Sequence, residues 1–413
     1  MSHARAAAAL LLAAACAAQA GPDEALLGKE RGYPVGTAGN WYHNPYRIGS
    51  WSAMDKVPGL RTKAVARGET VMPLAKMPQP PAITYRLRNI NYTLDDYLER
   101  QRTTGLLVLK NGQVAAEHYR YGRTEEARFL SFSMAKSVTS LLVGVAHAQG
   151  AIASLDDPAE KYAKSLEGSA YGSTTVRQLL RMSSGLTFTE RYDGNDDIAR
   201  LSRAAAGADP GGVDAVLRSL DGRHSPAGSK FTYASAETAV LGRVLTGATG
   251  RSMAELTSEW LWKPIGAERG AFWGAEANGQ ELAHAQFSAT LRDWGRLGVM
   301  LAQGGRVGET QVVPAAYLRE ATDKNLQPAA FQPRTATPYF GYGYQFWLFP
   351  MRERTFAMQG VHGQTLFVQP ASGIVMVMTS AWQAASGRQD PQPAEERDAL
   401  FRGVLRALGG STD

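Results

Sequence analysis

The chain has 413 residues, 44% of them apolar, and carries 44 Lys and Arg against 38 Asp and Glu. That length and apolar content support a large core, arranged as one big domain or a few smaller ones. The net charge of +6 comes mainly from arginines spread along the chain, with no basic block and no aromatic–basic interleaving, which argues against nucleic-acid binding.

In chain order, the first segment is "MSHARAAAALLLAAACAAQA", residues 1–20. One arginine, an apolar run and Ala18-Gln19-Ala20 before Gly21 have the layout of a secretory signal, so an exported protein, periplasmic or secreted, is expected. A lipoprotein signal at Cys16 is the alternative, although Ala13 stands where such signals usually have leucine. The apolar run is shorter than the ~20 residues that span a bilayer, and no later run is long enough, so no membrane span is expected. Cys16 is the single cysteine. A chain cleaved after residue 20 would therefore hold no disulfide, thiolate metal site or cysteine nucleophile.

Residues 21–85 are rich in Gly and Pro and end in "MPLAKMPQPPAITY", which reads as an extended, locally polyproline-like arm. Two β-type runs follow in "GLLVLKNGQVAAEHY", joined by Asn111-Gly112, a strong hairpin signal. From about 137 to 290 helical patterns dominate, among them "SVTSLLVGVAHAQG", "TTVRQLLRMSSG" and "AETAVLGRVLTGATG", each ending in glycine. "RDWGRLGVMLAQGG" is a further helix just beyond. Short strand patterns then return in "YGYQFWLF", "RTFAMQG", "QTLFVQP" and "GIVMVMTS". The last helix has Pro393 in its first turn and Leu400, Phe401, Val404, Leu405 and Leu408 on one face. A hairpin, a helical insert, more strands and a closing helix predict one sheet built from both chain ends, within an α+β fold.

The stretch "FSMAKS" places Ser133 and Lys136 on one face of a helix that begins near Ser133. A serine hydroxyl needs a base to become a nucleophile, and a helix start favours an oxyanion while disfavouring a protonated lysine. Lysine ordinarily titrates near ~10.4, and lowering that by ~3 units needs about 4 kcal/mol of desolvation and positive neighbours. The plain alternative is an N-cap serine beside a solvated lysine. Two more stretches bear on that choice. "FTYASAETAVLG" sets Tyr233 just before a helix, where a phenol could relay a proton, and Ser235 two residues on. "FAMQGVHGQTLFVQP" sets Gly360 and Gly363 in a strand, where missing side chains would let a ligand approach a backbone N–H.

In this order, S-x-x-K at Ser133/Lys136, then Tyr233-x-Ser235, then Met358-Gln359-Gly360 on a strand, the sequence resembles the serine β-lactamase and penicillin-binding family, in its class C branch. "SLDDPAEKY", "VRQLLRMSSGL", "SATLRDWGRLGVML" and "IGSWSAMDKVPG" look most like the 6-aminohexanoate-dimer (nylon-oligomer) hydrolase group. The resemblance runs from about residue 47 to the C-terminus and makes residues 86–413 one β-lactamase-like domain. It implies an antiparallel sheet flanked by helices with an inserted all-helical region. It also implies an acyl-enzyme on Ser133, proton handling by Lys136 and Tyr233, and an oxyanion hole from the N–H groups of Ser133 and Val361. No cofactor or metal is implied, and the seven scattered histidines include no H-E-x-x-H. The expected partner is a small-molecule ester or amide substrate; the oligomeric state stays open.

Departures narrow the substrate. Met358 stands where the family's third-motif lysine helps bind a carboxylate, and Ser235 replaces the usual Asn. The Pro-Gly that usually precedes the tyrosine segment reads Pro226-Ala227-Gly228. These changes favour simple esters or linear amides over β-lactams and D-Ala-D-Ala peptides, and a slow acylable sensor is the non-enzymatic alternative. Tyr192 matches a loop tyrosine that contacts the scissile amide in the nylon-hydrolase group. Glu190, Asp193, Asp196 and Asp197 would attract a substrate ammonium or simply form a solvated loop. His362 is either a substrate contact or a polar strand-end residue.

Overall fold

A computed structural model describes residues 21–413. The expected signal segment, with Cys16, lies outside the described residues.

Among the described residues the main sheet has seven antiparallel strands. They are β1 (Thr103–Lys110), β2 (Gln113–Tyr119), β3 (Gly341–Tyr342), β4 (Trp347–Leu348), β5 (Phe356–Gly360), β6 (Gln364–Gln369) and β7 (Ile374–Ser380). Their spatial order is β3-β4-β5-β6-β7-β1-β2, so the early hairpin docks directly on the last strand. Asn111 and Gly112 both have positive φ, 50° and 78°, as the tight turn between β1 and β2 requires. β1 and β7 read as unbroken apolar runs because both of their faces are covered. Leu107, Leu109, Val375 and Val377 point into one core, and Leu106, Val108, Met376 and Met378 into the other.

Four helices matter most here: α1 (Met134–Ala148), α2 (Ser235–Thr249), α3 (Leu291–Ala302) and α4 (Gln392–Ala407). α4 covers the second core with Leu400, Phe401, Val404, Leu405 and Leu408, all buried. α3 covers the first, and its glycines set how closely it lies on the sheet. A Cβ at Gly295 would meet Leu107 Cδ2 at 2.6 Å, and one at Gly298 would meet Val375 Cγ1 at 2.4 Å. Among the described residues no helix is long and apolar enough to cross a membrane.

Two expectations need correction. The insert expected to be all-helical from 137 to 290 ends in two strands, Ala271–Ala275 and Phe287–Thr290. With Arg61–Val65 and Arg128–Leu130 they form a second antiparallel sheet. Runs this short show no readable period, and their partners lie far away in sequence. The second correction concerns the arm. Residues 66–83 do run without helix, touching the sheet through a lone bridge from Lys76 to Val114. Residues 21–60, in contrast, fold into short helical turns that bury Leu27, Ile48, Trp51, Met54 and Val57 against Leu130 and Phe132. Gly and Pro here permit tight turns, while the scattered apolar side chains supply a small core of their own.

Candidate active site

The turn that carries Ser133 follows the strand Arg128–Leu130 and is pinned by the Ser131 N–H, which donates to Phe287 O at 2.8 Å. Phe132 then takes φ 45°, a left-handed conformation that costs a bulky residue about 1 kcal/mol or more. Its ring is held there by Trp51 and His362, with centroids 4.9 and 5.7 Å away. Ser133 stands at the N-cap of α1 but makes no side-chain cap bond. The N-cap alternative therefore fails. Its Oγ instead accepts from Lys136 Nζ at 2.9 Å, and the same ammonium donates to His284 O at 2.7 Å.

Lys136 is only 2% exposed. Burial pushes its pKa down to about 8, with the charge of Glu190 opposing. Lys136 Nζ sits 5.2 Å from the centre of the Tyr233 ring, and the nearby Ser133 hydroxyl favours the ionised phenol. Trp347 stacks on the Tyr233 ring at 5.6 Å and fixes its plane. Burial first, then Glu190, raise the phenol's pKa, so it is protonated at neutral pH. Serine, lysine and tyrosine thus converge from two segments a hundred residues apart. This arrangement can take a proton from Ser133 to Lys136 and return one through Tyr233.

Ser133 and Val361 line one cavity of about 550 Å³. Part of its wall comes from the N-terminal segment, through Trp41, Tyr42 and Leu60. Gly360, at the end of β5, has a role different from the expected ligand approach. A Cβ there would lie 2.3 Å from Ser131 O and 3.1 Å from Ser133 N, so its missing side chain admits the Ser131–Ser133 turn itself.

His362 is likewise corrected. It is buried, its Nδ1 pairs with Trp382 O at 2.8 Å, and its Nε2 pairs with the Tyr42 hydroxyl. Burial drives its pKa down to about 4. Both ring nitrogens are engaged, so His362 ties the N-terminal segment to the β5–β6 turn, and it is not among the residues that line the cavity.

Tyr192 lines the cavity and donates its hydroxyl to Glu190 at 2.7 Å. Ser235 lines it too, but its N–H and hydroxyl both donate to Glu190, each at 2.8 Å. The four acids are each engaged by the chain's own donors, and Glu190 and Asp196 line the cavity. Asp193 pairs with Arg191, Asp197 accepts from Thr189, and Asp196 caps the helix Asp197–Ala205 while accepting from the Tyr192 N–H.

A profile of the β-lactamase family matches residues 90–400. The chain belongs to the β-lactamase family. It is 30% identical over 373 residues to a 6-aminohexanoate-dimer hydrolase of Paenarthrobacter ureafaciens, covering 85% of this chain and 90% of the relative. A solved structure from Bacillus anthracis, assigned to the same hydrolases, superposes with TM-score 0.80 at 23% identity, covering 90% of this chain and 97% of that one. A family VIII carboxylesterase superposes with TM-score 0.54 at 16% identity, covering 74% and 93%. The fold is therefore the β-lactamase one, in a serine hydrolase family with amidase and esterase relatives.

Within this β-lactamase-family site, Met358 is fully buried in the core under the sheet and offers the cavity nothing. Several contributors escaped sequence reasoning. Glu190, noted only as one acid of four, is the junction of Tyr192 and Ser235 and acts on the charges of Lys136 and Tyr233. His284 lines the cavity, accepts Lys136 on its carbonyl and keeps a buried Nδ1 with no partner among the described residues. Burial, then Lys136, lower its pKa well below the usual value, so the ring is neutral. Arg61 and Arg203 also line the cavity. Nothing in the local pattern of these residues differs from an ordinary surface or loop position.

Proposed function

We propose that this protein is an exported serine hydrolase that cleaves carboxylic esters or linear amides through an acyl-enzyme on Ser133. Neutral Lys136 accepts the Ser133 proton, and Oγ adds to the carbonyl carbon of a small-molecule substrate. The N–H groups of Ser133 and Val361 serve as donors to the oxyanion. Tyr233 passes a proton to the leaving alcohol or amine as its bond to carbon breaks. Water then adds to the ester, loses its proton to the same Lys136–Tyr233 pair, and releases the acid and free Ser133. The single observation that carries this reading is the buried Lys136 amine, 2.9 Å from a serine hydroxyl that opens into a cavity.

Substrate preference follows from Met358. With no cation at that strand position, a ring-fused carboxylate of β-lactam type loses its usual partner there. Purified protein and Ser133→Ala are to be compared on a p-nitrophenyl short-chain ester, nitrocefin and an aminohexanoate dimer. Ester or amide turnover that disappears in the variant is expected. Equal rates for both proteins would remove Ser133 as nucleophile, and a single burst without turnover would make the protein an acylable sensor. Export is supported by the charged, apolar and small-residue zones of residues 1–20. N-terminal sequencing of protein recovered outside the cytoplasm should begin at Gly21.

A further inference from the structure

α4 packs on the second core and α1 on the first, so the surface beside α4 lies across the main sheet from Ser133. There a groove of about 730 Å³ opens between α4 and the hairpin of strands Thr84–Leu87 and Ile90–Thr93. It shares no lining residue with the Ser133 cavity. Gly403 sets how closely the two walls meet. A Cβ there would lie 2.3 Å from Thr84 O and 2.9 Å from Tyr85 Cβ, so the helix rests directly on the strand. That contact brings Arg402 and Arg406 of the helix to the same groove as Arg86 of the strand. The hairpin turns at Arg88 and Asn89, both with positive φ, 48° and 66°. Asn-Gly is the usual choice for such a turn, so an arginine at its first position is costly. Its side chain crosses to Glu395 on α4, at 3.0 Å.

Both acids that line the groove are neutralised by arginines. Glu395 pairs with Arg88, and Asp398 pairs with the buried Arg397 at 2.9 Å. Arg86, Arg402 and Arg406 are left without a carboxylate among the described residues. Arg86 donates to Asn89 Oδ1 at 3.1 Å, Arg402 donates to the Tyr339 hydroxyl, and the Arg406 side chain makes no hydrogen bond or ion pair. The groove therefore keeps a surplus of positive charge after its own anions are paired. Arg402 and Arg406 stand one helical turn apart, a spacing at which like charges repel. An anion between them removes that repulsion. Tyr339 holds Arg402 in place, with the guanidinium 5.8 Å from the ring centre. Each guanidinium presents a planar fork of N–H donors that matches phosphate oxygens.

We propose that this groove is a second binding site, for a small soluble ligand carrying two linked phosphate groups, with Arg86, Arg402 and Arg406 as its counter-charges. Two guanidiniums one turn apart and a third on the facing wall suit two joined anionic centres. Their three uncompensated charges suit a diphosphate better than a single phosphate. The site stands apart from the chemistry at Ser133 and does not rest on it.

Isothermal titration calorimetry on the full protein, in metal-free buffer, can compare inorganic pyrophosphate, inorganic phosphate and adipate. Pyrophosphate should bind one to one, about tenfold tighter than either of the others, and more weakly as salt is raised. It should also raise the melting temperature, as a ligand of the folded state does. Arg402→Gln/Arg406→Gln and, on the facing wall, Arg86→Gln should each lose about tenfold in pyrophosphate affinity. Both should still melt near the parent temperature without ligand. Arg61→Gln/Arg203→Gln, in the Ser133 cavity, should bind pyrophosphate as the parent does. No saturable binding, equal affinity for phosphate and pyrophosphate, or parent-like affinity in the groove variants would overturn the proposal. So would loss of binding in the Arg61→Gln/Arg203→Gln variant, which would place the anion in the Ser133 cavity. Co-sedimentation with phosphatidylglycerol vesicles in the absence of pyrophosphate binding would make the groove a membrane-docking face and overturn it as well.

Discussion

Burial holds Lys136 at about 8, against 10.5 for a free lysine, so at pH 7 about one amine in ten is neutral. The sign has a kinetic consequence. If the neutral amine is the base, kcat/KM on a p-nitrophenyl ester should climb about tenfold per unit below pH 8 and level off above it, in a profile that stopped-flow or plate assays can trace. The same shift acts on the fold. Because the folded pKa lies below the unfolded one, the penalty for burying an ammonium is complete below pH 8 and vanishes as the pH rises toward 10.5. Lys136→Met should therefore be inactive yet more stable than the parent at pH 7, by roughly 3 kcal/mol in urea unfolding. That advantage should shrink between pH 8 and 10.5. The Ser133–Lys136 pair was legible because helical spacing alone puts i and i+3 together. Glu190 and His284 were not, since their significance lies in contacts with Ser235 and Lys136 that no local pattern encodes.

At the scale of elements, the N-terminal segment is the largest departure from the sequence reading. Its Gly and Pro content suggested an arm, yet Trp51 packs its ring against both Phe132 and His362, at 4.9 and 5.0 Å. Phe132 is the residue whose left-handed backbone turns the chain into Ser133, so the segment braces the reactive turn as well as walling the cavity. Trp51→Ala should cost about 3–5 kcal/mol of stability, as removal of a buried aromatic does. It should also lower kcat at temperatures where the variant is still folded, which separates bracing from mere stability. Circular dichroism melting together with ester kinetics at 15 °C reads both effects. The helices were easier to foresee. The apolar stripe of α4 follows from a face that must meet the sheet, and the structure buries it.

For the whole molecule, the sandwich of sheet and helices was readable because strand-like runs appear only near the two ends of the chain. The second sheet was not, because its four short strands come from segments as distant as Arg61–Val65 and Phe287–Thr290. Cutting the chain after Gly373 would delete β7, the neighbour that both β1 and β6 pair with. Such a truncated protein should show no cooperative melting transition and should bind a dye for exposed apolar surface, as dye fluorescence can check.

The pairing of β1 with β7 also sets a timetable. A ribosome must translate past Ser380 before the middle of the sheet has its seam, since Lys110 waits for Ile374 and Thr103 for Ser380. Until then the nascent polypeptide keeps an open edge and stays pliable. Late closure therefore makes the centre of the main sheet depend on one of the last strands to leave the ribosome.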